Sequence, residues 1–252
     1  MTLRVETRGA IAQLTFDRAN KLNALSRDLL REIPRICTEL NRDDQLKVVA
    51  VRGEGRAFSA GFDLHDFANP EPGLTATAAA DLGRLAADAL AQLNAVTVAA
   101  IQGHCAGGGV VLAAACDLRI ASTDARFSIP EIDLGIPLAW GGIPLLVREL
   151  GPARTRELVM TGSEFSGAEA LEWGFLNRLV EPTELNSTVA ELAELIASKP
   201  LMALRATKSQ VRIAADALVS TRHADADAVL LAAAEDDDEA RAIGRSYLAR
   251  RR

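Results

Sequence analysis

An α/β core followed by a helical C-terminal third is the fold class this sequence predicts, and three observations predict it. Up to residue 122, strand-length apolar runs alternate with segments of helical apolar spacing, the order of a sheet covered by helices and not of a β-sandwich. Beyond residue 140 the strand signals fade and helical spacing takes over. No stretch rich in Pro, Gly or Ser divides the two parts, so the helical region reads as an extension packed on the core.

Each element has its own reason. Residues 2–8 and 10–16 alternate polar and apolar side chains around Arg8-Gly9, which predicts an opening hairpin. Ser26 then begins an amphipathic stretch in which Leu29, Leu30, Ile33, Ile36, Cys37 and Leu40 follow helical spacing and Pro34 can introduce a bend. LKVVAVRG (46–53) is an almost unbroken apolar run, as expected of a strand covered on both faces. An Ala-rich helix (77–95), a second buried strand (97–103), a Gly-led helix (107–115) and a strand (117–122) repeat the theme. Helices are expected at 141–150, 153–161, 167–173, 183–198, 200–215, 221–234 and 237–250, and residues 69–76 (NPEPGLTA) form the one plainly loose segment.

Composition narrows the function. The 252 residues carry 28 Lys and Arg against 34 Asp and Glu, a net charge of −6 that offers no broad positive field to a phosphate backbone, so no nucleic-acid partner is expected. The N-terminal alternation leaves no secretory apolar segment and no uncharged run reaches membrane-spanning length, so neither a signal peptide nor a membrane partner is expected. Cys37, Cys105 and Cys116 form no CxxC pair and lie in apolar surroundings, which fits free buried thiols in a reducing, cytoplasmic compartment. Phosphate-loop, HExxH and GxSxG motifs are missing, and the dinucleotide-like GEGRAF fails because Phe58 stands at the third glycine position.

Two small-residue turns, each after a buried strand, carry the chemistry: GEGRAFSAGFDL (53–64) and QGHCAGGGVVLAAACD (102–117). In the second, consecutive glycines begin a helix, so amides around Gly108 lack intrahelical partners and favour negative charge ahead of them. A free N–H from Ser59-Ala60-Gly61 would complete an oxyanion hole. Close helix–strand packing and a plain turn are the alternatives. Glu131, after Ile129-Pro130 and before a largely apolar run, is the candidate acid/base, because an apolar setting raises a carboxyl pKa toward neutrality. Asp133 is two residues away, and the spacing leaves open which of the two points inward.

Together, KLNALS (21–26), GRAFSAGFDL (55–64), GHCAGGGVVLAAACDLRIAS (103–122) and FSIPEIDLGIPLAWGG (127–142) resemble the enoyl-CoA hydratase/isomerase, or crotonase, family. TGSEFSGAEALEWGFLNRLV (161–180) and KPLMALRATK (199–208) extend the resemblance over nearly the whole chain. It implies a crotonase-like spiral of ββα units over 1–195 and a C-terminal helical trimerisation region over 196–252, packed on the core and on neighbouring subunits of a homotrimer or dimer of trimers. It implies an acyl-CoA thioester substrate, with coenzyme A entering as part of the substrate and no separate cofactor or metal. By the same resemblance the N–H groups of Ala60 and Gly108 form the oxyanion hole. Gly61, Phe62 and Asp63 line the CoA-binding turn, and Lys21, Leu22, Asn23 and Ala24 form the loop along the CoA adenine and pantetheine. Leu138 and Trp140, beside matched motifs, are candidate walls of the acyl pocket.

One departure directs the reaction. Hydratases of this family use two glutamates, one at the second residue after the triple glycine and one in the PE motif; here the first place is Val111 and only Glu131 remains. A lone glutamate suits removal of a C2 proton from a 3-enoyl thioester and its return at C4, so the resemblance points to Δ3,Δ2-enoyl-CoA isomerisation. A hydratase with a non-standard second group, a non-catalytic acyl-CoA binder and a serine hydrolase acting through Ser59 or Ser128 are the competing readings. His104 is expected as a buried ring bonded to backbone, His65 and Asp66 as polar loop residues at the site mouth, and Asp117 as an anchor for the strand that follows it.

Overall fold

The computed structural model describes residues 2–221, 224 and 226–250. Strands β1 (Leu3–Arg8) and β2 (Ile11–Phe16) form the expected antiparallel hairpin, turned at Gly9 with φ 58°. Helix α1 (Arg27–Leu40) starts at Ser26, whose hydroxyl accepts the Leu29 N–H, and buries all six of the apolar residues that follow helical spacing. The chain continues through β3 (Val48–Gly53), β4 (Ala57–Ser59), α2 (Leu64–Ala68), α3 (Ala76–Ala91), β5 (Val96–Ile101), β6 (His104–Ala106), α4 (Gly108–Ala114), β7 (Leu118–Ser122) and β8 (Arg126–Ser128). A short 3-10 helix, Pro130–Leu134, leads to α5 (Gly142–Thr161), which breaks at Gly151-Pro152 into the two helical pieces expected there. Then follow β9 (Phe165–Ser166), α6 (Gly167–Glu172), β10 (Arg178–Val180), α7 (Leu185–Ala197), α8 (Leu201–Leu218), α9 (Ala226–Asp236) and α10 (Asp238–Arg250). Residues 222, 223 and 225, within the helix expected over 221–234, lie outside the described residues.

The strands sort into two sheets. A six-stranded sheet has the order β1-β2-β3-β5-β7-β10, parallel throughout except for the opening hairpin, and a four-stranded sheet has the order β4-β6-β8-β9. Successive pairs, β3 with β4, β5 with β6 and β7 with β8, each give one strand to each sheet, so the chain winds as a spiral of ββα units. The helical reading beyond residue 140 is corrected by β9 and β10. β10 pairs in parallel with β7, Arg178 opposite Ile120, but two or three residues are too few to show an alternation.

The large sheet is covered on both faces, which accounts for the unbroken apolar runs. Val49, Val51, Ala99 and Ile101 belong to the main core with α1, α3 and α4, while Val48, Ala50, Val98 and Ala100 pack under Leu185, Val189 and Leu192 of α7. Helix α8 buries none of its residues fully, yet it is tied down: Lys208 Nζ donates to Ala95 O at 2.8 Å and to Asp117 Oδ2 at 2.7 Å. The same Asp117 oxygen accepts the Thr97 N–H and hydroxyl, the anchoring role expected of it. Helix α9 packs on α3 and α10 on the Pro130–Leu134 segment, so the end of the chain returns to the core beside the glycine turns.

Candidate active site

The turn after β4 is built against the KLNA loop. Leu22 and Asn23 both have positive φ (50° and 54°), and buried Asn23 holds the loop in place by donating to Glu54 O and Ala57 O while accepting the Arg18 N–H. The Ser59 hydroxyl donates to Asn23 O and accepts the Gly61 N–H, which leaves it no base to act as a nucleophile. Ala60 N–H donates to Leu22 O at 2.9 Å, and Asp63 N–H to Leu25 O at 3.1 Å. The placing of a free N–H at Ala60 is therefore corrected: in this turn the amide with no partner among the described residues is that of Phe62. Two residues' difference in a tight turn reverses the direction of an N–H, which no side-chain pattern reports.

Asp63 is buried and caps α2 by accepting the His65 N–H. Its burial would raise its carboxyl pKa, but the Arg18 hydrogen bond at 2.7 Å, the His65 amide and the charges of Arg18 and Lys21 outweigh that and hold it below the usual carboxylate range. Lys21 Nζ, half exposed, lies 3.7 Å from the same carboxylate.

Across the small sheet, Gly107 adopts φ 50°, ψ −120°, and its N–H donates to Ser128 O at 2.9 Å. Gly108 is the first residue of α4, so its N–H has no intrahelical acceptor, and it too is without a partner among the described residues. The Gly61 turn abuts this amide: a methyl on Gly61 would lie 3.7 Å from Gly108 N. The two glycine turns thus converge as the sequence suggested, with Phe62 and Gly108 as the available donors.

Glu131 lies in the 3-10 helix with its carboxylate against Gly107, where a methyl would come within 2.4 Å of Oε1. The residue as a whole is half-buried, but Oε2 is buried and has no partner among the described residues. Burial pushes its pKa up to about 7, against an opposing effect from its own backbone amide. Asp133 is exposed and turned away, its Oδ2 beside Gly162, which settles which acid points inward.

Glu131, Gly108, Phe62, Val111, Leu138 and Trp140 line one cavity of about 180 Å³, otherwise mostly apolar. Trp140, at φ 65°, lays its indole over two glycines: a methyl on Gly83 would lie 1.9 Å, and one on Gly108 2.1 Å, from ring atoms. Phe62 meets that ring edge-on at 6.0 Å. Asp227 of α9 accepts the Gly141 N–H at 2.9 Å, next to Trp140, and Leu231 of the same helix closes one side of the cavity. Lys21, Leu22, Asn23, Ala24, Ala60, Gly61 and Asp63 are not among the residues that line this cavity. His104 is exposed on β6 and not the buried ring expected, since its side chain points to the outer side of a short strand. His65 is exposed, with Nδ1 3.6 Å from Asp66 Oδ1, while Asp66 Oδ2 accepts the Arg27 N–H. Arg27, Glu71 and Leu231 line the cavity without having been singled out in the sequence, where nothing but their charge or apolarity marks them.

A ββα spiral that holds a buried carboxyl opposite two unpaired amides defines a crotonase-fold enzyme. The chain belongs to the enoyl-CoA hydratase/isomerase family, whose model matches residues 6–252. It is 34% identical over 208 residues to a short-chain-enoyl-CoA hydratase of Clostridium acetobutylicum, covering 82% of this chain and 79% of the relative. It is 37% identical over 212 residues to a carnitinyl-CoA dehydratase of Proteus mirabilis, covering 84% of this chain and 80% of the relative. With a peroxisomal Delta(3,5)-Delta(2,4)-dienoyl-CoA isomerase of Arabidopsis thaliana it shares 33% identity, over 82% of this chain and 79% of the relative. The crystal structure of an enoyl-CoA hydratase from Bacillus anthracis superposes with a TM-score of 0.81 at 32% identity, covering 91% of this chain and 90% of that one.

Proposed function

We propose that this enzyme is a Δ3,Δ2-enoyl-CoA isomerase that moves one proton with Glu131. The observation that carries the reading is the pairing of an unpartnered buried carboxyl with Val111, which is 1 % exposed and lines the same cavity where a second acid would be needed to hold water. The thioester oxygen accepts from the Phe62 and Gly108 N–H groups. Glu131 as carboxylate takes a proton from C2, the electron pair spreads toward the oxygen, and the same carboxyl returns the proton at C4. A pKa of about 7 suits both halves of that exchange. Donors fixed before the charge develops need no reorganisation, and losing one such donor typically costs about 3–4 kcal/mol of barrier. The step moves no electrons to or from the protein, so the reading calls for no metal or redox cofactor.

In the same reading the KLNA loop, Lys21 to Ala24, runs along the CoA moiety, Lys21 meets a phosphate, and Gly61 to Asp63 form the floor beneath the pantetheine. Leu138 and Trp140 bound the acyl chain. The enzyme works in the cytoplasm, in keeping with three free, buried cysteines, and no described helix is long and apolar enough to cross a membrane. It assembles as a trimer or dimer of trimers through the helical region, where α8 leaves Met202, Val211, Ile213 and Leu218 exposed.

The test compares wild type with E131Q on a 3-enoyl-CoA and on a 2-enoyl-CoA, followed by absorbance. Wild type converts the 3-enoyl ester with a rising pH limb centred near 7, and E131Q loses about 10²–10⁴-fold in kcat. Rapid hydration of the 2-enoyl ester would instead assign the protein to the hydratase activity named for its relatives. Binding without turnover of either would leave only an acyl-CoA binder.

A further inference from the structure

Three buried side-chain polar atoms have no hydrogen-bond partner among the described residues, and two of them belong to residues lining the active-site cavity: Glu131 Oε2 and Arg27 Nε. Arg27, the first residue of α1, is 9 % exposed. Its terminal nitrogens donate to Asn69 O, at 3.0 Å, and to Asp66 O. A guanidinium has five N–H donors, so three remain, and no described carboxylate oxygen lies within 4.0 Å of it. Two acids of the surrounding 66–71 segment are committed elsewhere: Asp66 to the Arg27 backbone N–H at 2.8 Å and Glu71 to Arg31 at 2.7 Å.

Arg119 shows how this fold treats a guanidinium that serves structure alone. It is 3 % exposed, donates to Phe175 O and Cys116 O, pairs with the Glu149 carboxylate and stacks over the Phe175 ring. Arg27 has the burial without the counter-charge, and it borders a cavity lined mostly by apolar side chains, Phe67, Pro70, Leu74 and Ala79 among them. A ligand matching that lining is polar at both ends, with a carbonyl at the Phe62 and Gly108 amides, an apolar middle, and a hydrogen-bond acceptor at its far end.

We propose that Arg27 is a specificity-determining residue that selects acyl groups whose distal end carries an oxygen acceptor, a carboxylate or a carbonyl. The inference rests on the acyl-CoA reading of this cavity. It is tested by calorimetric binding of three saturated thioesters of equal chain length, hexanoyl-CoA, 5-oxohexanoyl-CoA and adipoyl-CoA, none of which the enzyme can isomerise. Wild type binds the oxo ester, the carboxylate ester or both about tenfold or more tightly than hexanoyl-CoA. R27M brings that ratio close to one, and R27K, which keeps a charge and a donor, retains part of it. Preference for adipoyl-CoA alone identifies a carboxylate; equal preference identifies a neutral acceptor as sufficient. Equal binding of all three by wild type overturns the proposal while leaving the acyl-CoA reading intact, and failure to bind any of them overturns both. A preference that survives in R27M also overturns it, and so does a parallel loss of affinity for all three, because Arg27 would then serve only to clamp the 66–69 backbone.

Discussion

Glu131 is kept in a setting that favours its neutral form, and the whole molecule bears the consequence. Its pKa in the folded chain, about 7, lies above the ordinary carboxyl value of 4.5. A raised pKa means that the folded state binds the proton more tightly than the unfolded one. The associated stability is fully present below the unfolded value and is lost as pH rises through about 7. Glutamine at this position has the shape without the charge. Thermal melts of wild type and E131Q should therefore nearly coincide near pH 4.5 and diverge toward pH 8, with E131Q the more stable; coincident melts at pH 8 would refute the assigned burial cost. At this scale the sequence was only partly legible. The apolar run around Glu131 announced a perturbed acid, and the triple glycine announced the Gly108 amide. The direction of the Ala60 and Phe62 amides depends on the Leu22 carbonyl, set by two consecutive positive φ angles, and no residue pattern announced those.

Elements were legible in proportion to their length. The six-residue strands β3 and β5 are buried on both faces and read as continuous apolar runs. The three-residue strands β4, β6 and β8, which carry both glycine turns and the approach to Glu131, have too few residues for any period and are defined by pairing alone. Helix α8 is a different case, since its spacing is helical but its attachment is polar. The Lys208 side chain is 8 % exposed where it meets Asp117 and Ala95 O. Removing one partner of a buried pair costs about 3–5 kcal/mol, and Asp117 at 30 % exposure recovers part of that from water. K208M is expected to lower stability by about 2 kcal/mol, read as a lower denaturant midpoint; an unchanged midpoint would show that α8 is held by its apolar contacts instead.

For the molecule as a whole, α8 presents Met202, Val211, Ile213 and Leu218 at 62–85 % exposure on a single chain. The proposed trimer or dimer of trimers would take such side chains out of water. Light scattering should find wild type as a trimer or hexamer and I213D as smaller species; a wild-type monomer would show that α8 faces water. Order along the chain has a further consequence. The donors at Phe62 and Gly108 and the acid at Glu131 are complete once the spiral is folded, but Leu231 and the Asp227 bond to Gly141 come from α9, near the end of the chain. The glycine turns and Glu131 therefore stand without α9, whose packing on α3 supplies the Leu231 wall, so local detachment of that one helix would open the cavity to water while leaving the donors and the acid in place.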